Sequence, residues 1–444
     1  MSALQKSVLK SKLPPKMPKA SGGSKLAPFG ATRRKDYTPV SWNKYYEKFA
    51  DVETEDGTFR VYTSPEPDRP DRPRIVTLHG GGYSALSWAL FTEEITNLIH
   101  CQVVSMDIRG HGETKAKDPD DLNIDTLVKD VEQVLKKLFG GEMPPIILLG
   151  HSMGGAIAVR TAHSPHLEPY VQGLAVIDVV EGTAMEALAS MQSFLRSRPT
   201  HFKSIGHAIE WCIRSGQVRN LESAKVSMPS QIINCKTDQL ATNEVEDYVS
   251  DDSSGPGVEH RPDAILEESD GSEGEPFAQP SPVDSSNMRY RWRVDLSRTE
   301  SHWAGWFRGL SAAFLAARAP RLLLLASVDG LDRELTVGQM QGKFQMRVLT
   351  RCGHAVQEDA PGEVILDVGR NLTSPMIFYL YRSVTSILFF GLNLFRTIFK
   401  FKIANIDKFD IISETKDTKN YLHKRDSSIF KRRIVSLSLS SSEL

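Results

Sequence analysis

The sequence predicts an α/β fold: a mostly parallel central sheet flanked by helices, with a helical cap inserted. Two observations carry that expectation. Short, continuously apolar runs alternate with stretches whose apolar residues recur every three to four positions, the pattern of strands buried on both faces between amphipathic helices. One such run, Pro145-Ile146-Ile147-Leu148-Leu149, leads into Gly150-His151-Ser152-Met153-Gly154 and then into Gly155-Ala156-Ile157-Ala158-Val159. A G-x-S-x-G match between a strand and a helix reads as a nucleophile elbow, whose sharp turn requires small flanking residues and exposes the serine hydroxyl.

Taken in order, the elements begin after a basic leader. Residues 1–35 hold nine Lys or Arg and no acid, with Pro14-Pro15 and Gly22-Gly23 interrupting any helix. Residues 1–38 therefore read as a disordered basic tail, with an import signal at Arg33-Arg34-Lys35 or a transit peptide as the competing readings. The catalytic domain is expected over 39–368. Arg74–Leu78, Gln102–Met106, the run before the elbow and Leu174–Ile177 are its first apolar strands, and Ile124–Leu135 carries the helical repeat. Residues 181–300 are expected to form the cap and its insert. The stretch 181–230 reads as helices without strands (Ala184 to Leu195, Ile205 to Arg214).

Residues 244–275 hold twelve Asp or Glu against one Arg, so 240–288 reads as a solvated, disordered acidic loop, with an acidic docking surface as the sharper alternative. Regular structure resumes at Trp303–Ala317 and in two further strands, Leu322–Ala326 and Met346–Leu349. Residues 369–444 read as an atypical, poorly structured tail. Within it, 376–399 is apolar, but Arg382 and Arg396 leave thirteen uncharged residues between them, short of the roughly twenty a membrane span needs. A poorly structured or surface-associating segment is expected there, with a true span as the weaker reading.

Composition narrows the class. Of 444 residues, 40% are apolar and 25% charged, and the net charge is −1. That is the composition of a globular protein and supplies no field for nucleic acid. The four cysteines, Cys101, Cys212, Cys235 and Cys352, are scattered without a C-x-x-C pair. They read as reduced thiols of a cytoplasmic or nuclear protein rather than as disulfides or a zinc site.

The serine needs a base, an orienter for that base and donors for an oxyanion. His354, in Arg351-Cys352-Gly353-His354-Ala355 after the last strand, stands where the Ser, acid, His order of this elbow places the base. Asp178, at the end of the strand after the elbow strand, and Asp329 or Asp332, after the Leu322 strand, are all candidate acids. Spacing does not separate them, and the loser is expected to cap a turn. His79-Gly80-Gly81-Gly82-Tyr83 follows the third strand, where glycines let backbone N–H groups approach a substrate. The N–H groups of Gly81 and Met153 are the expected oxyanion hole. His111, in Asp107-Ile108-Arg109-Gly110-His111-Gly112, reads as structural. Tyr83 and Trp88 are the expected substrate-binding walls, with plain core as the alternative for Trp88.

These motifs together resemble the α/β-hydrolase superfamily. The longer words His79 to Trp88, Gly150 to Ala158, Ile177 to Met185 and Gly338 to Met346 resemble the protein phosphatase methylesterase family over about residues 36–368. The resemblance implies an α/β-hydrolase fold and a serine carboxylesterase. It implies removal of the methyl ester from the C-terminal leucine of the type 2A protein phosphatase catalytic subunit, Asp178 as the acid, a disordered acidic insert, and no cofactor or metal of the enzyme's own. A small-molecule esterase or lipase, and a catalytically impaired phosphatase-binding protein, are the alternatives. One departure stands out: the helix that starts at Pro361 is expected to be cut short at Gly369, stripping cover from one sheet face and support from His354.

Overall fold

The computed structural model describes residues 35–251, 288–327 and 331–372. The basic leader through residue 34, the acidic stretch 252–287, Asp329 and the tail from 373, including 376–399, lie outside the described residues.

A nine-stranded sheet forms the centre. β1 (Lys48–Thr54) and β2 (Gly57–Thr63) make an antiparallel hairpin, and a two-residue strand, β5 (Lys115–Ala116), pairs with β2. β4 (Gln102–Met106) joins β2 antiparallel; then β3 (Arg74–Leu78), β6 (Ile146–His151), β7 (Val171–Ile177), β11 (Arg321–Leu325) and β12 (Gln345–Val348) follow in parallel. The spatial order is β1-β2-β4-β3-β6-β7-β11-β12.

Successive side chains in these strands enter different cores. Ile75, Val103, Ile147, Leu149, Ala175, Leu322 and Leu324 pack on one face, against the helices Ala89–Leu98 and Pro361–Leu372. Val76, Val104, Ile146, Leu148, Leu174, Val176 and Leu323 pack on the other, against Ile124–Phe139, Met153–Thr161 and the helices after residue 300. Both faces are apolar because both are covered, which is why the strands read as continuous apolar runs. Ile124–Phe139 shows the local logic. The Asn123 side chain accepts from the Asp125 N–H at its start, Gly140 at φ 63° ends it, and Leu127, Val131, Val134 and Leu135 form its buried stripe.

Four features differ from expectation. The cap holds a small antiparallel sheet, β8 (His201–Phe202), β10 (Tyr290–Trp292) and β9 (Ile232–Asn234), where only helices were expected. Strands of two or three residues are too short to show a period of two. A helix, Ala241–Asp251, occupies the front of the stretch expected as acidic loop, because Leu240, Ala241 and Val245 are buried in the cap core. The Trp303–Ala317 region is two helices, Glu300–Phe307 and Leu310–Ala316, broken at Gly309 with φ 71°. Finally, the helix from Pro361 runs through Gly369 to Leu372. Val364, Ile365, Val368 and Leu372 all pack on the sheet, and a Cβ on Gly173 of β7 would stand 3.1 Å from that of Leu372. The face expected to lose its cover is covered.

Candidate active site

The elbow is built by steric exclusion. Ser152, between β6 and the helix Met153–Thr161, is held at φ 54°, ψ −122°, a region unfavourable for any residue with a Cβ. A Cβ on Gly150 would stand 2.1 Å from the Gly154 carbonyl oxygen, and one on Gly154 would stand 2.2 Å from that of Leu78. Only glycine fits at either flank.

Asp178, at the end of β7, has φ 52°, so two of the three non-glycine residues with positive φ among the described residues are candidate site residues. Each is pinned by the next strand: the Ser152 N–H donates to the Ile177 carbonyl at 3.0 Å, and the Asp178 N–H to the Leu324 carbonyl at 2.7 Å. These hydrogen bonds to the neighbouring strand help sustain the strained backbone.

His354 reaches Asp178 across the sheet edge. Its Nδ1–H donates to Asp178 Oδ2 at 2.8 Å, and Asp178 Oδ1 accepts the Ala326 N–H at 2.8 Å. Burial on its own would push the Asp178 carboxyl up. The hydrogen bond and charge of His354, with the Ala326 N–H, outweigh it and hold the group below its ordinary value. Nδ1 is thereby committed to Asp178, which leaves Nε2 as the basic nitrogen. No hydrogen bond joins Nε2 to the Ser152 hydroxyl in this structure, and the imidazole is 51% exposed.

Of the other candidate acids, Asp332 is the N-cap of the helix Arg333–Met340, accepting from the Leu335 N–H at 2.9 Å and from the Ser311 hydroxyl. It plays the turn-capping part expected of the acid not used.

Two buried imidazoles fix the glycine loop after β3. His79 Nε2 accepts the Ile108 N–H at 3.0 Å, so its Nδ1–H donates to the Gly80 carbonyl at 2.8 Å. His111 Nδ1–H donates to the Arg109 carbonyl at 2.8 Å, and its Nε2 accepts the Gly82 N–H at 2.9 Å. Burial holds His79 well below its ordinary value and His111 down to about 4, so both stay neutral near pH 7 and each can accept. Gly80 and Gly82 are thus tied on either side of Gly81. The N–H of Gly81 and that of Met153, first in its helix, are in no turn or loop hydrogen bond among the described residues. Two free donors beside a helix N-terminus suit a developing oxyanion.

Tyr83 and Trp88 have different surroundings. Tyr83 packs into the cap cluster with Phe202 and Ile205 and meets His151 edge-on, with ring centroids 5.3 Å apart. Trp88 is not a substrate wall. At 0% exposure it lies in the sheet core against Phe91, as its place at the end of a short helical turn dictates.

Three contributors are not among the site residues expected from the sequence. His151 Nε2–H donates to the His354 carbonyl at 2.8 Å, with the two rings 4.7 Å apart; its place inside the elbow motif was the available clue. Leu296 of the cap lies over the glycine loop, 3.5 Å from where a Cβ on Gly81 would stand. The cap segment 219–227 grips the His354 loop. The Arg219 N–H donates to Asp359, the Arg219 guanidinium donates to the Arg351 carbonyl, and the Ser223 and Ser227 hydroxyls donate to Glu358.

Among the described residues no group of three His, Cys, Asp or Glu side chains converges to hold a metal ion, and no helix is long and apolar enough to cross a membrane.

Comparison with known proteins places this geometry in context. A model of the alpha/beta hydrolase family matches residues 75–368. The chain is 50% identical to protein phosphatase methylesterase 1 of Homo sapiens, over 82% of this chain and 93% of that protein. It is 40% identical to the probable protein phosphatase methylesterase 1 of Caenorhabditis elegans, over 80% and 81% of the two chains. Among solved structures, E-2-(acetamidomethylene)succinate hydrolase shares the fold with a TM-score of 0.51 at 15% identity, over 74% of this chain and 98% of that one.

Proposed function

Because the chain belongs to the alpha/beta hydrolase family and, within it, to the protein phosphatase methylesterases, we propose that Ser152, His354 and Asp178 hydrolyse the methyl ester on the C-terminal leucine of the type 2A protein phosphatase catalytic subunit. The protein is a serine methylesterase, and a protein phosphatase is its substrate.

The observation that carries the assignment of residues is the Asp178–His354 hydrogen bond of 2.8 Å, beside a serine on a strained elbow. His354 Nε2 takes the Ser152 proton as the hydroxyl oxygen attacks the ester carbonyl, and Asp178 stabilises the resulting imidazolium. The oxyanion accepts the N–H groups of Gly81 and Met153. Its collapse expels methoxide, which leaves as methanol with the proton from Nε2. Water, deprotonated by the same nitrogen, then releases the free carboxylate. The cycle requires the Ser152–Nε2 hydrogen bond to close; such contacts often tighten only once substrate is bound.

The leaving group is a single methyl, so selectivity has to come from the acyl side. The described cap residues, 181–251 and 288–300, lie over the glycine loop through Leu296 and pack against Tyr83, and are the wall that would hold the tail. The four free thiols suit a cytoplasmic or nuclear setting.

The test is loss of methyl from methylated phosphatase catalytic subunit, with fluorophosphonate labelling alongside. Wild type should demethylate and label. Ser152→Ala should do neither, with activity lower by about 10⁵-fold or more, as when such a nucleophile is removed elsewhere. Hydrolysis of small acyl esters without demethylation would assign a small-molecule esterase instead. A folded protein that neither labels nor demethylates would be a binding module.

A further inference from the structure

Among the described residues, Arg198 is a cation without a counter-ion at the edge of the glycine loop. It follows the cap helix Glu181–Ser197, and its guanidinium carbon lies over the Trp292 ring, 3.5 Å from the centroid, with Trp211 at 6.0 Å. Its Nη1 stands 3.9 Å from where a Cβ on Gly82 would be, one residue from the proposed oxyanion donor. Nε is buried with no partner. Burial pulls Arg198 down to about 10, and among the described residues the ionisable groups acting on the side chain are the Tyr83 hydroxyl and the Cys212 thiol, with no carboxylate.

An unpaired cation shielded from water is costly. Stacking on tryptophan and the negative end of the preceding helix offset part of that cost. Neither satisfies the guanidinium's five directional donors.

We propose that Arg198 anchors a carboxylate on the acyl side of the bound protein tail. The inference rests on the esterase reading of the site. The chemistry has two sources: an acidic side chain just upstream of the esterified leucine, or the carboxylate that hydrolysis itself creates. A bidentate guanidinium–carboxylate pair in this sheltered setting would also orient the tail, because its two parallel hydrogen bonds fix a plane.

The experiment uses the full chain carrying Ser152→Ala, so that no ligand turns over, and calorimetric titration with three leucine-terminated peptides. The first is neutral with a C-terminal amide, the second has one upstream aspartate and a C-terminal amide, and the third is neutral with a free carboxylate. At least one carboxylate peptide should bind about tenfold more tightly than the neutral amide. The arm that does so names the source. The preference should shrink in high salt and disappear in Arg198→Gln, while Arg198→Lys should keep part of it.

Equal binding of all three peptides, no measurable binding, or a preference that survives Arg198→Gln would each overturn the proposal. The first two are read with Arg198 intact, so they do not depend on the variant folding. Methanol release from methylated tails without any carboxylate preference would remove the anchor and leave the esterase. A carboxylate preference without methanol release would do the reverse.

Discussion

The two halves of the site are held by different parts of the molecule. Ser152, Gly81 and Met153 sit just beyond the ends of β6 and β3 at the centre of the sheet. Their supports, His79, His111, Asp107 and the glycines of the elbow, are all within the hydrolase core. His354, in contrast, is half exposed. Its loop is tied to the sheet through Asp178 and His151, and to the cap through Arg219, Ser223 and Ser227. The proposed oxyanion donors are therefore fixed by the core, while the proposed general base depends on the cap as well. A disturbance of the cap should reach the base before it reaches the oxyanion loop.

The strongest way to break this comparison is at the joint between the halves. Asp178→Asn keeps an oxygen for the Ala326 N–H but removes the charge that orients His354 and stabilises its cation. It should lower kcat by about 10⁴-fold and slow fluorophosphonate labelling of Ser152 with it, the order of loss seen when a buried triad aspartate is made neutral. The check is steady-state demethylation with a folding control by circular dichroism; a loss under tenfold would move the orienting acid elsewhere.

A second effect separates the halves by sign. Burial pushes the Glu358 carboxyl up to about 8, the hydrogen bonds from Ser227 and Ser223 only partly offsetting it. The folded protein thus keeps a proton that the unfolded chain, near the ordinary 4.5, gives up. That contribution to stability is full below about 4.5 and is lost as pH rises through about 8. The core half runs the other way. His111 is held down to about 4 and His151 to about 3, in both cases by burial first. Their contribution is full above the ordinary imidazole value of 6.5 and is lost as pH falls toward the folded values.

Glu358→Gln, neutral at every pH, should flatten the decline between pH 5 and pH 8, by up to roughly 4 kcal/mol at the alkaline end. The urea midpoint of each protein at the two pH values measures it. An unchanged difference between pH 5 and pH 8 would mean that the carboxyl clamp does not carry the alkaline loss.

The same division explains what was legible in the sequence. The core half was written locally. Strand ends, elbow and glycine loop are contiguous words, and β3 and β4 fall on the residues their apolar runs mark out. The cap half is assembled from distant pieces. Arg198 meets Trp211 and Trp292, and Glu358 meets Ser223 and Ser227, across separations no local pattern records. The front of the acidic stretch hid the helix Ala241–Asp251 because Ala241, Thr242 and Val245 are its buried residues among those described, too few to mark an apolar stripe. Trp88 looked like a wall because it follows the glycine loop; the first turn of the next helix carries it inward instead.

The smallest effect is the sharpest control on the acid assignment. Asp332 and Asp178 both follow sheet strands, yet Asp332 is spent on a helix N-cap and on the Ser311 hydroxyl. Asp332→Ala should remove one cap, worth about 1 kcal/mol, and lower Tm by about 2–4 °C for a domain of this size. Demethylation by the folded fraction should stay within about twofold of wild type, because the lost oxygen touches neither His354 nor the ester. Differential scanning calorimetry and the demethylation assay on the same preparation separate the two quantities. Were Asp332→Ala to lower kcat as far as Asp178→Asn does, the hydrogen bond between Asp178 and His354 would be a resting contact rather than the catalytic one, and the base would be served by the helix after β11 instead of by the end of β7.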